Sequence, residues 1–417
     1  MEEQSDGHMV ISADFLYNGD YTFFENVELA VSDGKIRELR ERHQGSSGTI
    51  PTLEMGGALI MPGLVNAHTH LELGFLHGRL EPTDDFPSWL QEVKSRRESA
   101  DAETLATAAA DGIAAATASG TTLIVDHTSS DAAVPALAAA PVRTVAALET
   151  AGFEADRHVE YENRLAERLR STEPDVMHRV GIAPHSVYRV SEPLLTFCVE
   201  VARREELLFS VHAAEHPGEL ELMKEGTGEF RTLLERMGTD LGGWEAPGVS
   251  AVEYLHRLGA LDGRTLCVHC NYLDEPDVAF LRLSGAAVVY CPRSHAYFGH
   301  REHPMQLLLR RGVHVVLGTD SLASSPSVSV LDELRFLKRR YDYPSDMLVS
   351  LATAQAGAAV WGGSLGKLEV GAPADFCVIE IPERVDSPQE ALDVALLEDT
   401  RVLMTVCAGR PVHMAAS

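Results

Sequence analysis

From Gly63 onward, apolar runs of about four to eight residues alternate with longer stretches whose apolar residues recur at helical spacing, and no other feature of the chain restricts its fold as tightly. A strand followed by a helix, repeated, makes βα units, and such units pair their strands in parallel. Strands are expected at Leu64–His68, Thr122–Asp126, Arg143–Leu148, Val180–Ala183, Leu208–His212, Thr265–His269, Ala287–Cys291 and Val313–Gly318. That is the number that closes a (β/α)₈ barrel. Helical patterns accompany them at Glu103–Ala118, Leu194–Glu205, Ala251–Leu258, Pro276–Leu283, Met305–Arg311 and Val330–Arg340, with a further helix at Met347–Val360.

The two ends have a different texture. Short strands are expected at Met9–Tyr17, Val27–Val31 and Lys35–Leu39, the last two joined by a Ser32-Asp33-Gly34 hairpin turn. Strand texture returns at Lys367–Val370, Phe376–Ile381 and Val402–Cys407. Neither end is long enough to bury a core alone, so the two are expected to combine. The predicted organisation is an α/β chain: a (β/α)₈ barrel over 61–363 and one small β-sandwich built from 1–60 and 364–417. With 417 residues the chain is long enough for both.

Charge and cysteine usage remove several function classes. There are 62 acidic and 35 basic residues, a net charge of −27, which repels a phosphate backbone, and no Lys/Arg-rich run offsets it. Nucleic acid is therefore not an expected partner. The arginine pairs at 40 and 42, 96 and 97, and 339 and 340 read as solvated faces. No apolar run approaches the ~20 residues that span a bilayer, and the acidic stretch 1–8 lacks the basic and apolar regions of a secretory signal. The expectation is a cytoplasmic protein with no membrane partner. Its six cysteines are scattered through apolar segments, which suits reduced, buried thiols better than a disulfide framework. The Cys267-Val268-His269-Cys270 stretch has no second cysteine pair, so it reads as a buried strand rather than a redox or zinc motif.

The strongest local signal is Pro62-Gly63-Leu64-Val65-Asn66-Ala67-His68-Thr69-His70, an apolar strand ending in His-x-His. In a strand, residues i and i+2 face the same side, so both imidazoles would address one metal ion at the barrel's catalytic end. Alone the pattern is weak. Later strands, however, end on compatible groups: His212 after Leu208–Val211, His269 after Thr265–Val268, and Asp320 after Val315–Thr319. A lone histidine is more often a satisfied core group, and an aspartate after a strand often caps a helix; four coincidences at strand ends are harder to set aside.

These residues resemble the amidohydrolase superfamily, in the branch that holds the cytosine, guanine and adenosine-type deaminases and the triazine chlorohydrolases. The resemblance spans nearly the whole chain and rests on 62–70, His212-Ala213-Ala214-Glu215, His269-Cys270, Gly318-Thr319-Asp320-Ser321 and the closing stretch from Gly366 to Asp375. It implies one divalent metal ion, zinc ahead of iron, held by His68, His70, His212 and Asp320, with His269 beside it. Imidazole and carboxylate ligands suit either metal. Two-metal members carry a bridging lysine on the fourth strand, and Val180–His185 has none. His185 resembles the histidine that contacts substrate there; a buried structural histidine is the alternative.

By the same resemblance Glu215 is the proton shuttle. A metal-activated water attacks an amidine-like carbon, Asp320 and His269 orient it and accept its proton, and Glu215 delivers a proton to the ring nitrogen. Expected substrate contacts come from loops after the strands: Glu72, Trp89, His185, Tyr188, Arg189, Arg293, Ser294 and His295. Trp89 could equally be a packing anchor, and Arg189 and Arg293 surface charges. The stretch from Pro217 to Val249, containing Gly226, Gly228, Phe230, Gly242, Gly243 and Trp244, reads either as a lid or as a helical excursion packed on the barrel.

Cys291–His295 together with Gly318–Ser324 looks most like the aminodeoxyfutalosine deaminases of menaquinone biosynthesis, with His295 where asparagine is expected. The expected partner is a small heterocyclic substrate, and a homodimer is the candidate assembly. Hydrolysis of a ring amide, a formimino group or a carbon–halogen bond is the competing chemistry, and a non-catalytic metal-binding protein the competing class.

Overall fold

The computed structural model describes residues 8–42, 52–83, 85–154, 157–241, 243–382, 385–397 and 399–416. The acidic stretch 1–7 and Gly242 lie outside them. Four strands come first, β1 (Met9–Tyr17), β2 (Phe23–Ser32), β3 (Lys35–Glu41) and β4 (Thr52–Pro62). The eight expected parallel strands follow as β5 (Leu64–Thr69), β6 (Thr121–Thr128), β7 (Arg143–Thr150), β8 (His178–Pro184), β9 (Leu208–Ala213), β10 (Thr265–His269), β11 (Ala287–Tyr290) and β12 (His314–Leu317). Three more, β13 (Phe376–Glu380), β14 (Val402–Cys407) and β15 (Arg410–Met414), close the chain.

Both ends meet in one seven-stranded sheet, ordered β15-β14-β13-β4-β1-β2-β3, in which β1 and β4 run parallel and the other neighbours antiparallel. The central β4 was not anticipated, nor was β15. The strand expected at Lys367–Val370 is absent: Gly366 and Gly371 sit at φ +82° and +92° and turn the chain on either side. Only Leu368 is buried there, its N–H donating to Asn18 O at 2.9 Å. The helix expected over Met347–Val360 is two, Ser345–Leu351 and Ala354–Val360. It breaks where Ala352 O accepts a hydrogen bond from Val65 N of the first barrel strand (2.8 Å).

β5 and β12 close the barrel through backbone and side chain together. Thr319 N and Asp320 N both donate to His68 O at 3.1 Å, and Asn66 exchanges hydrogen bonds with Thr319, Nδ2 to Oγ1 at 2.8 Å and Oδ1 from N at 3.1 Å. Such close approach requires Gly318, because a Cβ there would stand 2.9 Å from His68 Cβ and 3.0 Å from its backbone N and O.

Inside the barrel, Val65, Ala67, Leu123, Val125, Val145, Ala147, Ala183, Val268, Val289 and Val316 form one apolar cluster, floored by Ala356, Val360 and Leu365. Alternation carries this inner face upward from Leu123 and Val125 to His127, and from Val145 and Ala147 to Glu149. On β5 the same rule would turn His68 outward. A register shift between Asn66 and Thr69 against β6 inserts an extra residue, and this bulge swings His68 and His70 inward.

Two helices absent from the sequence-based expectation bear on the site. Helix α1 (Phe86–Ser99) follows β5, started by Asp85, whose carboxylate accepts from Ser88 N at 3.1 Å, with Pro87 in the first turn. The other is His158–Ser171. The stretch after Pro217 forms helices Pro217–Glu225 and Glu229–Arg236, and Phe230 packs against Phe86 with ring centroids 6.0 Å apart, so it is a helical excursion packed on the barrel.

The sheet is riveted to the barrel by a buried ion pair. Arg143 Nε and Nη2 donate to Asp375 at 2.7 and 3.3 Å, and Asp375 Oδ1 also accepts from Ala408 N at 2.7 Å. Replacing Arg143 with Met leaves a buried carboxylate without its counter-ion, a loss of about 3–5 kcal/mol. The denaturation midpoint should fall accordingly in urea, and an unchanged midpoint would show that the pair contributes nothing.

Candidate metal centre and active site

The residues expected at the strand ends converge above the barrel core. His68 is fully buried, its Nε2 3.7 Å from Asp320 Oδ1, and His70 Nε2 lies 3.9 Å from the same oxygen. His70 Nε2 and His212 Nε2 face each other at 3.2 Å, their rings stacked.

The tautomer of His212 follows from its outer nitrogen. His212 Nδ1 donates to His185 O at 2.5 Å, and His70 Nδ1 points at Glu149 Oε2, 3.9 Å away. The inner Nε2 of His212 then carries a lone pair. Two imidazoles bound tetrahedrally at ~2.1 Å to one ion stand ~3.4 Å apart, close to the 3.2 Å between His70 Nε2 and His212 Nε2. Neither ring nitrogen of His68 has a hydrogen-bond partner although both are buried. The donor set therefore fits a divalent metal ion. Burial holds His68 and His212 neutral, pushed down to about 3 and about 4, as ligation requires.

Asp320 is anchored from all sides. Ser294 Oγ and Ser324 Oγ donate to Oδ2 at 2.6 and 3.0 Å, and Ser321 N donates to Oδ1 at 2.8 Å. Burial works against its charge, but the imidazoles of His68, His269 and His70 prevail and hold it well below the usual carboxylate range. The loop after His70 is pinned by buried Asp126, which accepts from Leu71 N at 2.6 Å and Thr69 Oγ1 at 2.9 Å.

Glu215 and His269 form the second part of the site. His269 Nε2 lies 3.3 Å from Glu215 Oε1, and both side chains line an open cavity of about 670 Å³ together with His70, Glu149, His185, His212 and Asp320. Burial first, then the negative charges of Asp320 and Glu219, push the Glu215 carboxyl well above the ordinary range, so its protonated form persists. Ala214, His269, Cys270 and Asp320 all have positive φ, between +52° and +73°, at the ends of three barrel strands. Backbone strain of this kind gathers where side chains must be aimed.

The remaining expected residues divide. Trp89, His185 and Arg189 line the cavity. Arg293 does not: its guanidinium is committed to Glu333, Ser327 and Ser329. His295 packs beside Tyr290 and His300, outside the cavity lining. Glu72 is buried and accepts from Ser130 N and Oγ, while Tyr188 packs edge-on against Phe230. Ser294 reaches the site through Asp320 alone.

His127 and Glu149 were missed. His68, His70, His127 and His212 each offer a ring nitrogen within 4.8 Å of one another. His127 lies edge-on to His68 at 4.4 Å, with its Nε2 on Ser210 Oγ at 2.7 Å and its Nδ1 3.9 Å from Glu149 Oε2. Arg97, read as a solvated face, also lines the cavity, while Arg96 pairs outside with Glu92.

Comparison with known proteins agrees with this geometry. The family model described as the amidohydrolase family matches residues 59–412. A 5-methylthioadenosine/S-adenosylhomocysteine deaminase of Nitratidesulfovibrio vulgaris is 29% identical over 380 residues, covering 86% of this chain and 80% of that protein. An aminodeoxyfutalosine deaminase of Deinococcus radiodurans is 30% identical over 347 residues, covering 81% of this chain and 80% of that protein. The crystal structure of an adenosine deaminase from Xanthomonas campestris with bound zinc has a TM-score of 0.80 at 22% identity, over 97% of this chain and 92% of that one, a likeness of fold. With the barrel, the strand-end histidines and this match over most of its length, the chain belongs to the amidohydrolase family and is a hydrolase of carbon–nitrogen bonds.

Proposed function

We propose that this protein hydrolytically deaminates a 6-aminopurine nucleoside, with one divalent ion, zinc ahead of iron, held by His68, His70, His212 and Asp320. The observation that carries this reading is Glu215, a buried carboxyl that favours its proton, set 3.3 Å from His269 in the cavity that also exposes His70, His212 and Asp320. Relatives named as deaminases of methylthioadenosine and aminodeoxyfutalosine support it.

Bound there, a divalent cation supplies the Lewis acidity that makes water a nucleophile near neutral pH. Glu215 places its proton on the ring nitrogen beside the amino-bearing carbon. His269, kept neutral by burial, takes the proton of the attacking water, with Asp320 orienting it. A carbon–oxygen bond forms, the carbon–nitrogen bond breaks, and the amino group leaves as ammonia with the proton returned through Glu215. His185 and Trp89 line the space for the flat ring.

The test is a product analysis with the metal-replete protein over a panel of adenine nucleosides. Ammonia and the 6-oxo nucleoside should form in equal amounts. Halide release from halogenated rings or ring opening, with no ammonia from any adenine nucleoside, would replace this reading with one of the competing hydrolytic chemistries.

A further inference from the structure

Helix α1 presents to the cavity a stripe ordered by chemistry. Phe86, Trp89, Leu90, Val93, Lys94 and Arg97 all line it, and at 3.6 residues per turn these positions share one helix face. The first half is apolar and lies on the Glu215 side: Phe86 stacks on His216 at 5.2 Å, and Phe86 and Trp89 each meet Phe298 edge-on at 4.9 Å. The second half is cationic and lies on the other side: Arg97 Nη1 stands 3.9 Å from Glu149 Oε1.

Arg189, in the loop after β8, lines the same cavity, and among the described residues it forms no ion pair. Three cations around one cavity stand out in a chain whose net charge is −27. Their own carboxylates answer them only in part. Glu98 pairs with Lys94 at 2.7 Å, and Glu149 accepts from Ser129 Oγ at 2.8 Å while its other oxygen faces His70 and His127. Arg97 is only half-buried, and the open side of its pair with Glu149 is the cavity itself, where its guanidinium fork is free to meet an anion.

We propose that the substrate carries an anionic group, a carboxylate or a phosphate, on the tail remote from its amino-bearing ring, and that Arg97 and Arg189 bind it with Lys94 at the rim. Arg97 is the residue that selects for it. The inference rests on the deaminase reading, which sets the ring on the Glu215 side beneath the apolar half of α1; the tail then emerges toward the cationic half. Arginine suits the task because its planar fork meets two oxygens at once, a geometry that lysine lacks.

The probes are 5′-deoxy-5′-(carboxyalkylthio)adenosines of several chain lengths, each beside its methyl ester, with adenosine 5′-phosphate beside adenosine as the phosphate arm. The readout is the ratio of kcat/KM, charged over uncharged, with the metal-replete full chain. Wild-type protein should favour the charged member by roughly tenfold or more in one arm, the value of a charged hydrogen bond, and that arm names the anion.

Arg97→Gln should bring the ratio close to one, chiefly through KM, Arg97→Lys should keep part of it, and Arg189→Gln should lower it. Arg96→Gln, on the outer face, should leave it as in the wild type. Where Arg97→Gln melts below the wild type, Arg97→Lys and Arg189→Gln decide. A wild-type ratio near one in every arm, or a ratio intact in folded Arg97 and Arg189 variants, overturns the anion subsite while deamination of the uncharged members stands. No deamination of any member overturns the deaminase reading and this inference with it.

Discussion

Replacing His212 with Ala is expected to remove both the metal and the activity. His212 is fixed twice over, by its Nδ1 bond to His185 O and by stacking on His70, so its Nε2 is aimed before any ion arrives. Removing it leaves three of the four proposed ligands, and opens the space between His70 and His269. Elemental analysis should fall from about one ion per chain to almost none. His68→Ala should do the same, because its two unpartnered nitrogens have no other use in the fold. Full occupancy in either variant would place the metal elsewhere, and two ions in a dialysed, active wild-type sample would overturn the mononuclear reading.

Glu215→Gln should give the second largest effect, with the opposite signature. The amide keeps the shape and the backbone bonds, from Glu215 N to Glu219 and from Asn271 to Glu215 O, but cannot carry a proton. Turnover should drop by roughly 10²–10⁴-fold, the usual share of a general acid–base group, while metal content stays at the wild-type value. Near-normal turnover on the true substrate would remove Glu215 from the chemistry. Metal loss together with activity would mean that Glu215 acts as a ligand.

The contrast between these variants bears on what the amino-acid sequence could reveal. His68, His70, His212, His269 and Asp320 were legible because each ends an apolar run, where a barrel exposes its chemistry. His127 and Glu149 end such runs too, and counting alternate positions from Leu123 and from Val145 would have turned both inward. They were passed over because each is one more residue at the end of an eight-residue buried strand, with no partner in the linear pattern. The inward turn of His68 depends on a bulge whose only trace is a register shift against β6, invisible until the partner strand is placed.

Arg97 and Arg293 show the limit from the other direction. One lies among charged residues and faces the cavity; the other follows a barrel strand and faces Glu333. A long cationic side chain is placed by what packs beside it, and that is tertiary information. Likewise β4 was missed because its outer half, Thr52 to Gly57, is unburied and ends in two glycines, which read as a turn rather than a strand, although its inner half forms the centre of the terminal sheet.

The clasp between β5 and the Thr319–Asp320 turn sets an order of events during synthesis. His68 and His70 emerge early, but the carboxylate proposed to complete their set lies far downstream, and so do the backbone donors that hold His68 O. β4 in turn waits for β13, the strand it pairs with across almost the whole barrel. A nascent chain therefore exposes two of the proposed metal ligands for most of translation with only a partial grip on any ion, and contacts this distant in sequence form slowly. Secure metal capture becomes a late event that reports a finished barrel, and a chain cut short before Asp320 should be recognisable by the ease with which a weak chelator strips it.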